Sequence, residues 1–137
     1  MAVGLVIVSH SERLAEGVVE LAAQMASGQV KLAAAGGTDD GSLGTSLAKV
    51  LSAIDQVYSS DGVLILVDLG SAGLVAEMAL EQIPDERREH VLLSEAPVVE
   101  GAVVAAVEAS IGSPLAQVAE TARTAMDMNK IGSGQPS

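Results

Sequence analysis

V-G-L-V-I-V at 3–8 and G-V-L-I-L-V at 62–67 are unbroken apolar runs. A strand with one wet face alternates apolar and polar residues, so runs without alternation read as parallel strands covered on both sides. V-K-L-A-A-A at 30–35 and Val91 to Leu93 carry the same signal more weakly, which predicts four strands. Between them the apolar residues fall at helical spacing. The first such segment carries Leu14, Val18, Leu21, Ala22 and Met25, with Gly28 as its stop. A second carries Leu47, Val50, Leu51, Ile54 and Val57 and ends near Asp61-Gly62, and a third carries Leu74, Val75, Met78 and Ile83 before Pro84. Residues 98–110 and 113–126 predict two further helices, the latter capped by Ser113 with Pro114 at its favoured first position.

Strands alternating with helices imply right-handed crossovers and an α/β fold: a doubly wound, mostly parallel sheet of four or five strands with helices on both faces. One domain over residues 1–126 is expected, followed by a Gly-Ser-rich tail or linker over 127–137. In such sheets ligands bind beyond the carboxyl ends of the strands.

Composition narrows the function classes. With 137 residues and 49% hydrophobic content, the chain can bury a normal core without covalent staples. There is no cysteine, which removes disulfides, thiolate metal sites and thiol nucleophiles. Eighteen acidic residues against seven basic ones, a formal charge of −11, repel nucleic acid and anionic membranes. The single tyrosine, with no Phe or Trp, offers no platform on which bases could stack. No apolar run approaches the ~20 residues of a membrane span, and the first residues lack the basic flank of a signal peptide. A soluble cytoplasmic chain with a protein partner is the expectation.

Three loops at strand ends carry the small and polar residues that let a phosphate approach: S-H-S at 9–11, G-G-T-D-D-G at 36–41 and D-L-G-S-A-G at 68–73. His10 is one of two histidines, and it stands at a helix start whether Ser9 or Ser11 is the cap. Free amides and the positive dipole end there favour an anion over an imidazolium. Asp68 ends the third apolar run, where it either accepts an N–H from an imidazole, fixing its tautomer, or caps a turn. Ser71 is equally a phosphate donor or a cap. Asp39 and Asp40 read as turn formers, because the spacing of a calcium loop is missing. His90, in the charged run 85–90, reads as a surface residue.

These residues resemble a known family. L-V-I-V-S-H-S ahead of a helix, G-G-T-D-D with Gly44-Thr45, and L-V-D-L-G-S-A at 66–72 are similar, over about the first 125 residues, to the phosphotransferase subunit of bacterial dihydroxyacetone kinase, of the mannose-type EIIA fold. The resemblance implies a phosphotransferase: a phosphohistidine carrier of the phosphoenolpyruvate-dependent phosphotransferase system. It would take a phosphoryl group from the carrier protein HPr on His10. It would then pass the group to ADP on the kinase's nucleotide-binding subunit. Asp68 matches the aspartate beside the histidine, Gly70 and Ser71 match phosphate donors, and Ser11, Gly37, Thr38 and Thr45 match the rim around it. No metal or cofactor of its own is implied, since ADP is held by the partner subunit. Members are typically cytoplasmic homodimers, and some continue into HPr-like domains. A sugar-uptake EIIA component and a histidine-phosphorylated regulatory module are the competing readings. A histidine phosphatase would need arginines around the phosphate, and Arg13 is the only one near this rim.

Overall fold

The computed structural model describes residues 2–26 and 28–132. The element order is β1 (Gly4–Ser9), α1 (Glu12–Met25), β2 (Leu32–Gly36), α2 (Leu47–Val57), β3 (Val63–Val67), α3 (Gly70–Gln82), α4 (Asp85–Arg88), β4 (Val91–Ser94), α5 (Val98–Ser110) and α6 (Leu115–Thr124), ending in a 3-10 turn over Ala125–Asp127. All strands pair in parallel in the order β2-β1-β3-β4. The α/β expectation holds, with four strands among the described residues. Part of the predicted tail, residues 133–137, lies outside them.

β1 is central and every one of its residues is buried. Its alternation divides the molecule into two layers. Leu5 and Ile7 pack in the layer of α1, α5 and α6, and Val6 and Val8 in that of α2 and α3. Each fully buried side chain of this size contributes roughly 1.5–3 kcal/mol. The chain runs outward from β1 to β2 and from β3 to β4. The crevice between β1 and β3 is therefore the point where strand order reverses, the place where doubly wound folds bind ligands.

Three expectations need correction. The first concerns which helix faces are buried. On α1 the buried residues are Ala15, Val18 and Ala22, while Leu14, Leu21 and Met25 are exposed. On α3 they are Ala72, Ala76 and Ala79, and Leu74 is 63% exposed. Side-chain size explains it: alanine faces let helices lie close to the sheet, and leucine would hold them off. The second concerns α6. Ser113 does not cap it, because its hydroxyl donates to Glu108, which also accepts from Thr121 at 2.9 Å, tying α5 to α6. The third is α4, a one-turn helix where only a charged run was expected; His90, between its C-cap Glu89 and β4, is exposed as predicted.

Gly36, where β2 ends, shows how tightly the layers close over the S-H-S turn. A Cβ there would meet the Ser11 carbonyl oxygen at 2.5 Å and the Glu12 Cα at 2.8 Å. Both contacts are backbone, so neither can swing aside. Gly36→Ala is expected to lower unfolding free energy by about 3 kcal/mol, measured by urea denaturation. A wild-type midpoint would show that α1 can withdraw from β2 at no cost.

Candidate functional site

Each site residue is placed by the end of a strand. Val8 of β1 lies opposite Val67 of β3, so the next pair along, Ser9 and Asp68, emerges side by side. The Asp68 amide donates to the Val8 carbonyl at 3.2 Å, continuing the ladder one step. His10 follows Ser9 and turns its ring back over Asp68.

Ser11, not Ser9, is the N-cap of α1: its hydroxyl accepts the Leu14 amide at 3.1 Å. His10 therefore precedes the cap and is not the first helical residue. The Ser9 hydroxyl is engaged elsewhere, and the Glu12 carboxylate, which a capping box would turn back toward Ser9, accepts the Lys49 ammonium at 2.9 Å. Lys49 also donates to the Gly36 carbonyl at 2.9 Å, joining α1, β2 and α2 below the turn.

Asp68 takes four donors on two oxygens. Oδ1 accepts from His10 Nδ1 at 3.0 Å and the Leu69 amide at 2.7 Å, and Oδ2 from the His10 amide at 3.0 Å and the Ser9 hydroxyl at 2.8 Å. Partial burial pushes this carboxyl up. The hydrogen bonds from the His10 amide, Ser9, the His10 ring and the Leu69 amide together outweigh that and hold it below its ordinary value. An ionised Asp68 can only accept, so Nδ1 carries the proton and Nε2 carries the lone pair.

Nε2 meets the Ser71 hydroxyl in a short hydrogen bond at the start of α3. The N-cap of α3 is Leu69, which has no side-chain acceptor to offer. The first amides of a helix have no intrahelical acceptor. Those of Gly70 and Ser71 open the helix whose Ser71 hydroxyl meets Nε2. Of the two expected sets of phosphate donors, the α1 amides and the Gly70-Ser71 pair, the free ring nitrogen faces the second, at the start of α3. The His10 side chain is 26% exposed, against 10% for Asp68. The ring is reachable from solvent while its anchor is covered.

The glycine-rich loop supports this arrangement from the other side. Gly37 donates its amide to the Ser9 carbonyl at 3.1 Å, and Gly44 donates to the His10 carbonyl at 2.8 Å. Gly44 has φ +140°, and a Cβ there would meet the Thr38 methyl at 2.6 Å, so the close approach requires glycine. Thr38 serves the loop itself: its hydroxyl donates to Asp40 at 2.6 Å and accepts the Ser42 amide at 3.1 Å. The Thr38 hydroxyl, then the Ser42 hydroxyl and amide, bring the Asp40 carboxyl down to about 2. Asp39 accepts from Ser46, the cap of α2. Both aspartates are turn formers, as expected, and among the described residues no cluster of His, Asp and Glu is arranged to hold a metal ion. Thr45 lines a shallow depression with Thr38 and Asp39, and no hydrogen bond ties either threonine to His10 among the described residues. The residue missed in the sequence as part of the site is Ser9. Its adjacency to Asp68 depends on strand register, which no local signal announces.

Fold and site together define a class: a doubly wound α/β domain presenting one histidine at its topological switch point. Within that class the chain belongs to the EIIA-man family, described as the fructose IIA component of the PTS system, whose profile matches residues 4–119. It is 46% identical over 138 aligned residues to the phosphoryl donor subunit DhaM of PEP-dependent dihydroxyacetone kinase from Escherichia coli K12, covering 98% of this chain and 29% of that protein. The chain thus spans less than a third of that relative's length. A shorter relative, the phosphoryl donor subunit DhaM of PEP-dependent dihydroxyacetone kinase 2 from Listeria innocua, is 38% identical, with 80% of this chain and 87% of that one covered. A crystal structure of a protein of unknown function, EF1359, superposes with a TM-score of 0.82 at 33% identity, covering 90% of this chain and 95% of that one.

Proposed function

We propose that this chain is a phosphohistidine carrier that accepts a phosphoryl group from HPr on His10 Nε2 and passes it to ADP on the nucleotide-binding subunit of a dihydroxyacetone kinase. The observation that carries this reading is the line Asp68–His10–Ser71: one ring nitrogen is anchored, and the other points at an uncapped helix start. The names of the relatives, phosphoryl donor subunits of dihydroxyacetone kinase, support the acceptor.

In the proposed step the Nε2 lone pair attacks phosphorus in line, the bond to the donor's nitrogen breaks, and an N–P bond forms. The Nδ1 proton stays on the ring, shared with Asp68, so no proton need leave His10. The Ser71 hydroxyl turns from Nε2 to a phosphoryl oxygen, and the amides of Gly70 and Ser71 take the others. Neither a metal nor a cofactor of the chain's own is needed. Onward transfer reverses the geometry, with the nucleotide supplied by the partner. Cytoplasmic location and a homodimer belong to the same proposal; among the described residues no helix is long and apolar enough to cross a membrane.

Ser71→Ala is expected to slow transfer about tenfold, the scale of one hydrogen bond to a charged group, in a rapid-quench assay. An unchanged rate would leave the α3 amides as the sole proposed cradle. The whole reading is tested by incubating the chain with phosphoenolpyruvate, Enzyme I and HPr, then adding kinase subunits loaded with ADP. ATP and dihydroxyacetone phosphate are expected. The family's description as a fructose component favours a second reading, donation to a sugar permease. A labelled chain that discharges to a permease domain and not to ADP would establish that reading instead.

A further inference from the structure

Ser9 is wholly buried, one of few buried polar residues among the described ones, and both bonding directions of its hydroxyl are committed. The oxygen accepts the Ser11 amide at 3.0 Å, which directs its proton to Asp68 Oδ2 at 2.8 Å. Of the four donors on the Asp68 carboxylate, two are backbone amides and one is the His10 ring itself. Ser9 is thus the one side chain, other than the ring, that holds the carboxylate. We infer that Ser9 is a positioning residue for phosphoryl transfer, acting on His10 through Asp68; this rests on the carrier function proposed above.

The physical need is specific. When the phosphoryl group reaches Nε2, the ring gains positive character, and Asp68 must stay ionised and in the ring plane to balance it. Oδ2 has two donors, the His10 amide and the Ser9 hydroxyl, so a carboxylate that loses the hydroxyl keeps there only the amide of the residue it must orient. Ser9 supplies the contact on Oδ2 that does not come from His10 itself, and with its oxygen accepting the Ser11 amide its proton is directed at the carboxylate. An apolar residue at this position would fill the same space at the end of β1. It would leave the Ser11 amide without an acceptor and Asp68 with one donor fewer, so the hydroxyl is what the site uses.

A purely structural Ser9 would satisfy the Ser11 amide ahead of α1 and nothing more. The two roles separate in a double-mutant cycle with Asp68→Asn on the full chain. Ser9→Ala should slow phosphorylation by phospho-HPr about tenfold in the wild-type background and add almost nothing once Asp68 is Asn. Independently of activity, the Asp68 carboxyl, followed by carbon NMR, should titrate at higher pH in Ser9→Ala, because a bond favouring the charged form is gone. The other titratable groups near it are His10 and, along the groove between α3 and the β4–α5 connection, Glu77 and Glu95, none of which Ser9→Ala alters. If Ser9→Ala does not fold, Ser9→Cys, with a weaker donor of similar size, carries the same comparison. Equal losses in both backgrounds, or an unmoved carboxyl titration, would overturn the role of Ser9. A wild-type chain that takes no phosphate from phospho-HPr would instead defeat the carrier function, and the titration would still judge Ser9.

Discussion

A His10→Ala chain incubated with phosphoenolpyruvate, Enzyme I and HPr is expected to take up no acid-labile phosphate, where the wild type takes one group per chain. The effect is all or none because no other side chain stands in for the ring. His90 lies on the opposite edge of the sheet, ahead of β4, and its carbonyl receives the Val63 amide in the ladder. The fold should survive the change, since His10 is partly exposed and belongs to neither apolar layer. Mass spectrometry on the intact protein at neutral pH reads the outcome directly. Phosphate retained by the alanine variant would remove His10 from the mechanism.

Asp68→Asn carries the second large effect, a loss of transfer on the order of a hundredfold, the scale of a misoriented reacting group. The substitution keeps shape and removes an acceptor. Asp68 faces donors on both oxygens: the His10 ring and Leu69 amide on one, the His10 amide and Ser9 hydroxyl on the other. An asparagine has one oxygen and one NH2 group, so whichever way it turns, a donor meets donors. Either the ring loses its anchor or the turn does. The pH dependence follows from the same bonds. The folded carboxyl lies below its unfolded value, so Asp68 contributes stability that is complete above about pH 4 and is lost as pH falls through the folded value. The asparagine variant should be less stable at neutral pH and lose less on acidification, as read by thermal melts from pH 7 to pH 3. Parallel curves for the two proteins would show that the carboxylate contributes nothing to the folded state.

Much of this architecture is legible in the chain. The unbroken runs at 3–8 and 62–67 became the two strands that flank the crevice, and β2 and β4 appeared where the weaker runs stand. Helix positions followed from period, yet the buried faces of α1 and α3 did not. A hydrophobicity pattern ranks Leu14, Leu74 and Met78 above Ala15, Ala72 and Ala76, while close packing against a sheet selects the smaller residue. Ser9 was one of two candidate caps for α1 and Ser113 the expected cap of α6, and each hydroxyl is taken by a carboxylate instead: Asp68 for Ser9, 59 residues away, and Glu108 of the preceding helix for Ser113.

The amino-acid sequence by itself determined the class of fold, the edge of the sheet where chemistry could sit, and His10 and Asp68 as the residues to watch. Those are consequences of local pattern: an apolar run, a period, a polar residue where a strand stops. Tertiary structure alone decided that Asp68 holds Nδ1 and leaves Nε2 free, that the free nitrogen faces α3 and not α1, and that Ser9 belongs to the site. All three depend on β1 lying beside β3 with Val8 opposite Val67. Register is a nonlocal property, chosen by which buried faces fit together, and no residue within either strand states it.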